Sequence, residues 1–218
     1  MSESTSRILL VEDEGGIREQ IEAALRADDW QIDQFSDVQS AKEGIDRAHA
    51  QGWSYDAAII DLFLPRNAED RKPKLDETLC RDVRPCALVW HISAHFNEEG
   101  GTVEEHIRRY HSPDELRAMI PKTPGFIGDL CEQVTQALGT RRIKATLAAL
   151  QVGASESVLA RRFRPDPADS SNTNLIAELC ADIKRFWKDL TPAFQEELQG
   201  WCDIRLNARA DVETVYPK

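Results

Sequence analysis

Short apolar segments alternate with amphipathic stretches along the first 140 residues of the chain. The apolar segments cover residues 7–11, 30–35, 55–64 and 86–92, and their lengths and residue types are those of strands. Residues 16–27 and 38–50 place apolar side chains three or four positions apart, which predicts helices. Strands that alternate with helices are typical of crossover units in a parallel sheet. The pattern therefore predicts the α/β class, with a doubly wound parallel sheet.

The segments that follow the third and fourth strands are long. Residues 66–85 are polar and leave room for one short helix, around Leu75–Val83. The segment of residues 97–120 is longer than a single crossover connection needs. Met119–Lys122 is predicted as a short fifth strand, and the helix predicted over Phe126–Leu138 either ends at Gly139 or runs on through residues 141–150.

The rest of the chain has helical periodicity. A loop over residues 164–173 divides it, residues 174–190 form an amphipathic helix, and Thr191 before Pro192 is a natural helix start. We expect an α/β domain over residues 1–139 and an all-helical C-terminal region over residues 140–218.

Composition and charge restrict the classes of protein. The chain is 41% hydrophobic and 30% charged, as expected for a globular protein, and it lacks both a secretory signal and the roughly 20 apolar residues of a membrane span. We expect a cytoplasmic protein without a membrane partner. The net charge of -11 divides into -12 for residues 1–140 and +1 for residues 141–218. The acidic first part argues against nucleic acid binding there.

Cysteines and histidines provide no metal-binding motif. The five cysteines are odd in number, and no two have the two-residue separation of zinc or redox motifs, so we interpret them as reduced thiols. They are Cys80, Cys86, Cys131, Cys180 and Cys202. His91 and His95 are spaced as two ordinary residues on one face of an extended segment.

Acidic side chains follow two of the predicted strands. Glu12 and Asp13 follow the first strand, and Asp61 follows the apolar residues 57–60 of the third strand. Because ligands of parallel sheets bind at the carboxyl ends of the strands, we expect these side chains to lie together. Three carboxylates repel one another unless a cation shares the site, and Mg²⁺ is a hard cation that accepts carboxylate oxygens. The sequence therefore predicts a magnesium site.

These motifs resemble those of the receiver domains of two-component response regulators, the CheY-like superfamily. The resemblance rests on the acidic pair in LLVEDE, on Asp61-Leu-Phe-Leu-Pro65, on Ser93 followed by Ala94, and on Lys122 in IPKTPGF. It covers residues 6–138 and implies a flavodoxin-like sheet of five parallel strands.

The resemblance also implies a phosphotransfer reaction. Asp61 would accept a phosphoryl group from a sensor histidine kinase or phosphotransfer protein, with no enzymatic activity beyond autophosphotransfer and self-dephosphorylation. Glu12, Asp13, Asp61 and the backbone carbonyl of Phe63 would hold Mg²⁺. Lys122 would pair first with Asp61 and then with a phosphate oxygen, Ser93 would hydrogen-bond another oxygen, and Ala94 would leave room for the group.

Three positions depart from the family pattern and leave alternatives open. Met119 replaces an aromatic residue, Thr123 separates the lysine from a proline, and Glu69 replaces a common glycine. One alternative is a receiver-like adaptor that works without phosphorylation. Another is a DNA-binding transcriptional regulator that uses basic C-terminal residues, namely Arg141, Arg142, Lys144, Arg161, Arg162 and Arg164. A homodimer is compatible with the aromatic residues of the C-terminal helices.

Overall fold

The computed structural model describes residues 6–26, 30–70, 73–75, 79, 82, 88–94, 116–158 and 170–205. The chain divides into two compact units, residues 1–134 and 135–218. This division and the boundary expected after residue 139 both fall within the helix Phe126–Val158, and the domain boundary itself stays a prediction. Among the described residues, no helix is both long and apolar enough to cross a membrane.

The first unit is built on a sheet of five parallel strands. In chain order the unit contains β1 (Arg7–Val11), α1 (Gly15–Arg26), β2 (Gln31–Phe35), α2 (Val38–Ala50), β3 (Ala57–Asp61), β4 (Phe63–Leu64), β5 (Lys74–Leu75), β6 (Leu88–Ser93) and β7 (Leu116–Pro121). The main sheet has the order β2-β1-β3-β6-β7, while β4 and β5 form a separate antiparallel pair. The order of the main sheet is that of flavodoxin-like folds, so the predicted fold class is confirmed.

Burial explains why these segments are strands. All residues of β3 and β6 are buried, as expected for inner strands of a parallel sheet that is covered on both faces. The edge strand β2 is only partly buried. The helix α2 begins where the Asp37 side chain accepts a hydrogen bond from the Ser40 N–H, and it buries Val38, Ala41 and Ile45 in the core.

Several predicted boundaries of the first unit are wrong. The strand expected over residues 55–64 is shorter, because the chain leaves the sheet after Asp61 and Phe63–Leu64 pair with β5 instead. Leu75, expected in a short helix, lies in β5; of the rest of that predicted helix, only residues 79 and 82 are described. The fifth strand begins at Leu116, three residues before Met119, and Lys122 follows its end.

The described residues of the second unit are almost all helical, as predicted. The helix α3 (Phe126–Val158) continues across Gly139, and it is followed by α4 (Ser170–Phe186), a short 3-10 turn (Trp187–Asp189) and α5 (Pro192–Arg205). The loop expected over residues 164–173 is thus helical from Ser170 onward. Thr191 caps α5, since its hydroxyl oxygen accepts the Phe194 N–H at 3.2 Å.

Packing within the second unit explains the glycine inside α3. A Cβ at position 139 would lie 2.6 Å from Cγ of Phe186, so only glycine allows this close approach. The apolar core of the unit is formed by Leu138, Ile143, Leu179, Ile183, Phe186, Leu190, Phe194 and Leu198. Beside this core, the Arg142 guanidinium pairs with the buried Asp182 carboxylate at 3.0 Å. Cys180 of this unit and Cys131 of the first unit are not joined in disulfide bonds.

Candidate functional site

Four neighbouring strands bring the predicted site residues to one edge of the main sheet. Glu12 and Asp13 follow β1, Asp61 ends β3, Ser93 ends β6 and Lys122 follows β7. The strands are parallel, so their carboxyl ends lie at the same edge. The Lys122 N–H donates to the Ser93 carbonyl at 2.9 Å, which fixes the lysine beside β6.

A single ammonium group bridges two buried carboxylates. The Lys122 Nζ lies 2.6 Å from Asp61 Oδ2, and 2.9 and 2.8 Å from Glu12 Oε1 and Oε2. The side chain of Lys122 is 9% exposed and that of Glu12 is fully buried. Because water is largely excluded, these charge-assisted hydrogen bonds are stronger than a surface ion pair.

Backbone groups fix the orientation of both carboxylates. The Phe63 N–H donates to Asp61 Oδ1, and the Glu14 N–H donates to Glu12 Oε1, each at 3.1 Å. The guanidinium of Arg18, in the first turns of α1, donates to the Glu12 carbonyl. The roles of Glu14 and Arg18 were not predictable from the sequence, since these contacts depend on how the chain enters α1 and no motif indicates them.

Among the described residues of the site, the three carboxylates carry more negative charge than Lys122 balances. Burial, followed by the charge of Asp61, raises the pKa of Glu12 from 4.5 to about 7, against the opposing effect of Lys122. Burial also raises the pKa of Asp61, although Lys122 and the Phe63 N–H oppose it. Burial by itself would lower the pKa of Lys122, but the adjacent carboxylates of Asp61 and Glu12 outweigh it and raise that pKa.

The carboxylates have the chemistry and spacing of a divalent-cation site. Glu12, Asp13 and Asp61 each offer an oxygen, and these atoms lie within 4.8 Å of one another. Asp13 is only partly buried, so the cluster is open to solvent on that side. Hard oxygen ligands suit Mg²⁺, and the raised carboxyl pKa values indicate that added positive charge would be stabilised there. The residues present therefore fit the ion that the sequence predicted.

The remaining predicted residues lie at the same edge or near it. Ser93 is fully buried, and Ala94 follows it at an exposed position. Met119 is partly buried and packs with Phe63 against Leu62, the residue after Asp61. His91 is buried within β6, while His95 lies outside the described residues.

Comparison with known proteins finds similarity at the level of structure. No family model and no curated protein matches the sequence. A receiver-domain protein (CheY-like) from Methanospirillum hungatei is 17% identical, with a TM-score of 0.45 over 62% of this chain and 94% of its own. The receiver domain of the hybrid histidine kinase CckA is 24% identical, with a TM-score of 0.41 over 60% of this chain and 97% of its own.

A third similar structure contains a metal ion. It is the receiver domain of the sensor histidine kinase PA1611 from Pseudomonas aeruginosa, with a magnesium ion coordinated in its active-site cleft. It is 21% identical, with a TM-score of 0.40 over 58% of this chain and 92% of its own. At these identities the likeness concerns the fold, which the strand order of the main sheet establishes independently.

Proposed function

We propose that the first unit is the receiver domain of a two-component response regulator and that Asp61 is its phosphoacceptor. One observation carries the proposal: the Lys122 ammonium lies 2.6 Å from Asp61 Oδ2, beside Glu12 and Asp13, at the carboxyl edge of a flavodoxin-ordered sheet. Ligands of such sheets bind at this edge. A buried aspartate beside a lysine and a cation site is suited to phosphoryl transfer.

In the proposed reaction, a carboxylate oxygen of Asp61 attacks the phosphorus of a phosphohistidine or of acetyl phosphate. The new P–O bond forms as the bond from phosphorus to the donor nitrogen or oxygen breaks, and the leaving imidazole or acetate keeps the bonding electrons. The Lys122 ammonium, already on Asp61 Oδ2, stabilises negative charge that develops on the phosphoryl oxygens. Ser93, at the end of β6, is the proposed hydrogen-bond donor to the bound group.

Mg²⁺ would be held by Glu12, Asp13, Asp61 and the backbone carbonyl of Phe63. When bound, it would neutralise charge on the transferring phosphoryl group. The three carboxylates within 4.8 Å support this assignment. The Phe63 carbonyl belongs to the same residue as the N–H that donates to Asp61.

We further propose that the donor is a sensor histidine kinase or a phosphotransfer protein, and that the helical unit passes the signal on by protein contact. Two basic residues of the second unit are engaged within that unit. Arg142 pairs with Asp182, and the Lys144 ammonium lies 5.0 Å from the centre of the Phe194 ring. These contacts leave Arg142 and Lys144 less available to bind phosphate, which weighs against the DNA-binding alternative. Arg161, Arg162 and Arg164 lie outside the described residues.

Intact-mass analysis after incubation with acetyl phosphate tests the phosphoacceptor. Wild type should gain one phosphoryl adduct that requires Mg²⁺ and is removed by hydroxylamine, as expected for an acyl phosphate. Asp61→Asn should gain none. Asp46→Asn, the same change at an exposed position in α2, should behave as wild type. An adduct on Asp61→Asn would contradict the assignment, and no adduct on wild type, even with a cognate kinase, would favour the adaptor.

A further inference from the structure

The two short strands next to Asp61 form a ribbon that the main sheet does not include. Phe63 lies opposite Leu75, and Leu64 lies opposite Lys74, in an antiparallel pair. The ribbon begins two residues after Asp61. The residues on either side of β4 are both fixed by backbone hydrogen bonds. The Leu62 N–H donates to the Ile92 carbonyl, and the Pro65 carbonyl accepts the Val38 N–H of α2, each at 3.1 Å.

Proline determines which residues of the ribbon exchange hydrogen bonds. In an antiparallel pair, opposite residues alternately exchange both backbone hydrogen bonds or none. If Phe63 and Leu75 exchanged them, the ladder would continue through an N–H of residue 65, which is a proline and has none. We therefore infer that Leu64 and Lys74 exchange both hydrogen bonds. The backbone groups of Phe63 then point away from β5.

The hydrogen bond from Phe63 to Asp61, the proposed phosphoacceptor, agrees with this pattern of hydrogen bonds between β4 and β5. Its N–H donates to Asp61 Oδ1 at 3.1 Å, so it is already engaged on the side opposite β5. In an extended strand, the N–H and carbonyl of one residue lie on the same edge. The Phe63 carbonyl therefore lies on the edge that faces the acidic cluster.

We propose that the ribbon is a positioning element of the acidic site, and that the backbone of Lys74 is its key partner. The two bonds between Leu64 and Lys74 hold the Phe63 peptide with its N–H on Asp61 and its carbonyl toward Glu12, Asp13 and Asp61. This inference rests on the proposed function, because it assigns the ribbon to the binding of the divalent cation. A backbone carbonyl has no side-chain rotamers, so its orientation is fixed by the hydrogen bonds of the backbone around it.

The variant Lys74→Pro tests the ribbon in the full-length protein. It removes the N–H that pairs with Leu64, whereas Lys74→Ala keeps it and removes only an exposed side chain. The Mg²⁺ dissociation constant, measured by calorimetry without phosphodonor, should equal that of wild type in Lys74→Ala. It should be about tenfold higher in Lys74→Pro, as is typical when a group that orients a metal ligand is lost. Equal affinity of a folded Lys74→Pro would overturn the inference.

A measurement on wild type keeps the inference testable if Lys74→Pro does not fold. Amide exchange followed by NMR should be slow at Leu64 and at Lys74, and the Phe63 amide resonance should move in Asp61→Asn. Fast exchange at both residues would show that Leu64 and Lys74 do not exchange both backbone hydrogen bonds, and would overturn the inference.

The variant Asp13→Asn distinguishes failure of the ribbon from failure of the proposed function. It should bind Mg²⁺ more weakly than wild type does, because it loses a proposed ligand. If wild type binds no Mg²⁺, or if Asp13→Asn binds it equally well, the proposed metal site fails and the ribbon inference fails with it. If Asp13→Asn weakens binding and a folded Lys74→Pro does not, only the ribbon inference fails.

Discussion

Replacing Lys122 by methionine would remove the cation that two buried carboxylates share. The side chain would keep its approximate length, so the main loss is that of the ammonium contacts with Asp61 at 2.6 Å and with Glu12 at 2.8 Å. Breaking a buried ion pair by removing one partner typically costs about 3–5 kcal/mol. Here the carboxylates can avoid part of this cost by binding protons, since their pKa values are already raised in the wild type.

The destabilisation of Lys122→Met should therefore depend on pH. A carboxyl group that is protonated in the folded state and ionised in the unfolded state makes stability fall by about 1.4 kcal/mol for each unit of rising pH. Without the lysine, the pKa values of Glu12 and Asp61 should rise further, so the pH range over which stability falls should extend to higher pH. We expect close to the full cost of about 3–5 kcal/mol at high pH and a markedly smaller cost in mild acid.

Urea unfolding of the metal-free protein at about pH 5 and about pH 8 would measure this difference. Lys42→Met is the matched control, because Lys42 pairs with Asp82 at 3.2 Å with both side chains about one-third exposed. It should cost at most about 1 kcal/mol at either pH. Millimolar Mg²⁺ should restore stability to Lys122→Met at high pH, since a cation replaces the ammonium. An equal loss for Lys122→Met at both pH values would show that protonation of Glu12 and Asp61 does not offset the loss of the ammonium.

Two further predictions concern the helical unit and Glu12. Gly139→Ala should destabilise the protein by about 1–2 kcal/mol in thermal or urea unfolding, because the new Cβ meets Phe186. Gly128→Ala, in the same helix with nothing within 4 Å, should stabilise it by up to about 1 kcal/mol; stabilisation by both would contradict the packing. Because the pKa of Glu12 is raised from 4.5 to about 7, stability of the metal-free protein should fall across that window as pH rises, by at most roughly 3 kcal/mol. Glu12→Gln should flatten this slope, and an unchanged slope would assign it to other groups.

The fold was predictable where burial imposes a pattern on the sequence. The inner strands β1, β3 and β6 are buried and read as apolar runs. The helix α2 has its predicted bounds, Val38–Ala50, because a single apolar stripe and the Asp37 cap define it. The site was predictable for a related reason. Parallel strands end at one edge, so residues that follow three or four strands are brought together whatever connects the strands.

Features that depend on contacts distant in sequence were not predictable. The strands β4 and β5 have two residues each, which is too short for any periodicity to be visible. Whether α3 ends at Gly139 could not be decided from the sequence, since glycine costs helix stability and only the packing of Phe186 explains its presence. The early start of β7 at Leu116 involves a bulge opposite Val89 and Trp90, which the residue pattern does not encode.

The long connection before β7 is compatible with a functional Lys122. Closing a longer loop costs only about 0.6 kcal/mol for each doubling of its length, so a long connection hardly affects the strand that follows it. The position of the lysine depends instead on strand register, since Pro121 lies opposite Ser93 and the next N–H donates to the Ser93 carbonyl. If the proposed function holds, the departure of greatest consequence for signalling is Met119, which packs against Leu62 beside the proposed phosphoacceptor. Under the proposed function, acceptance of a phosphoryl group would depend on the residues at the strand ends, whereas its readout would depend on side chains such as Met119. The first could then be retained in this chain while the second differs.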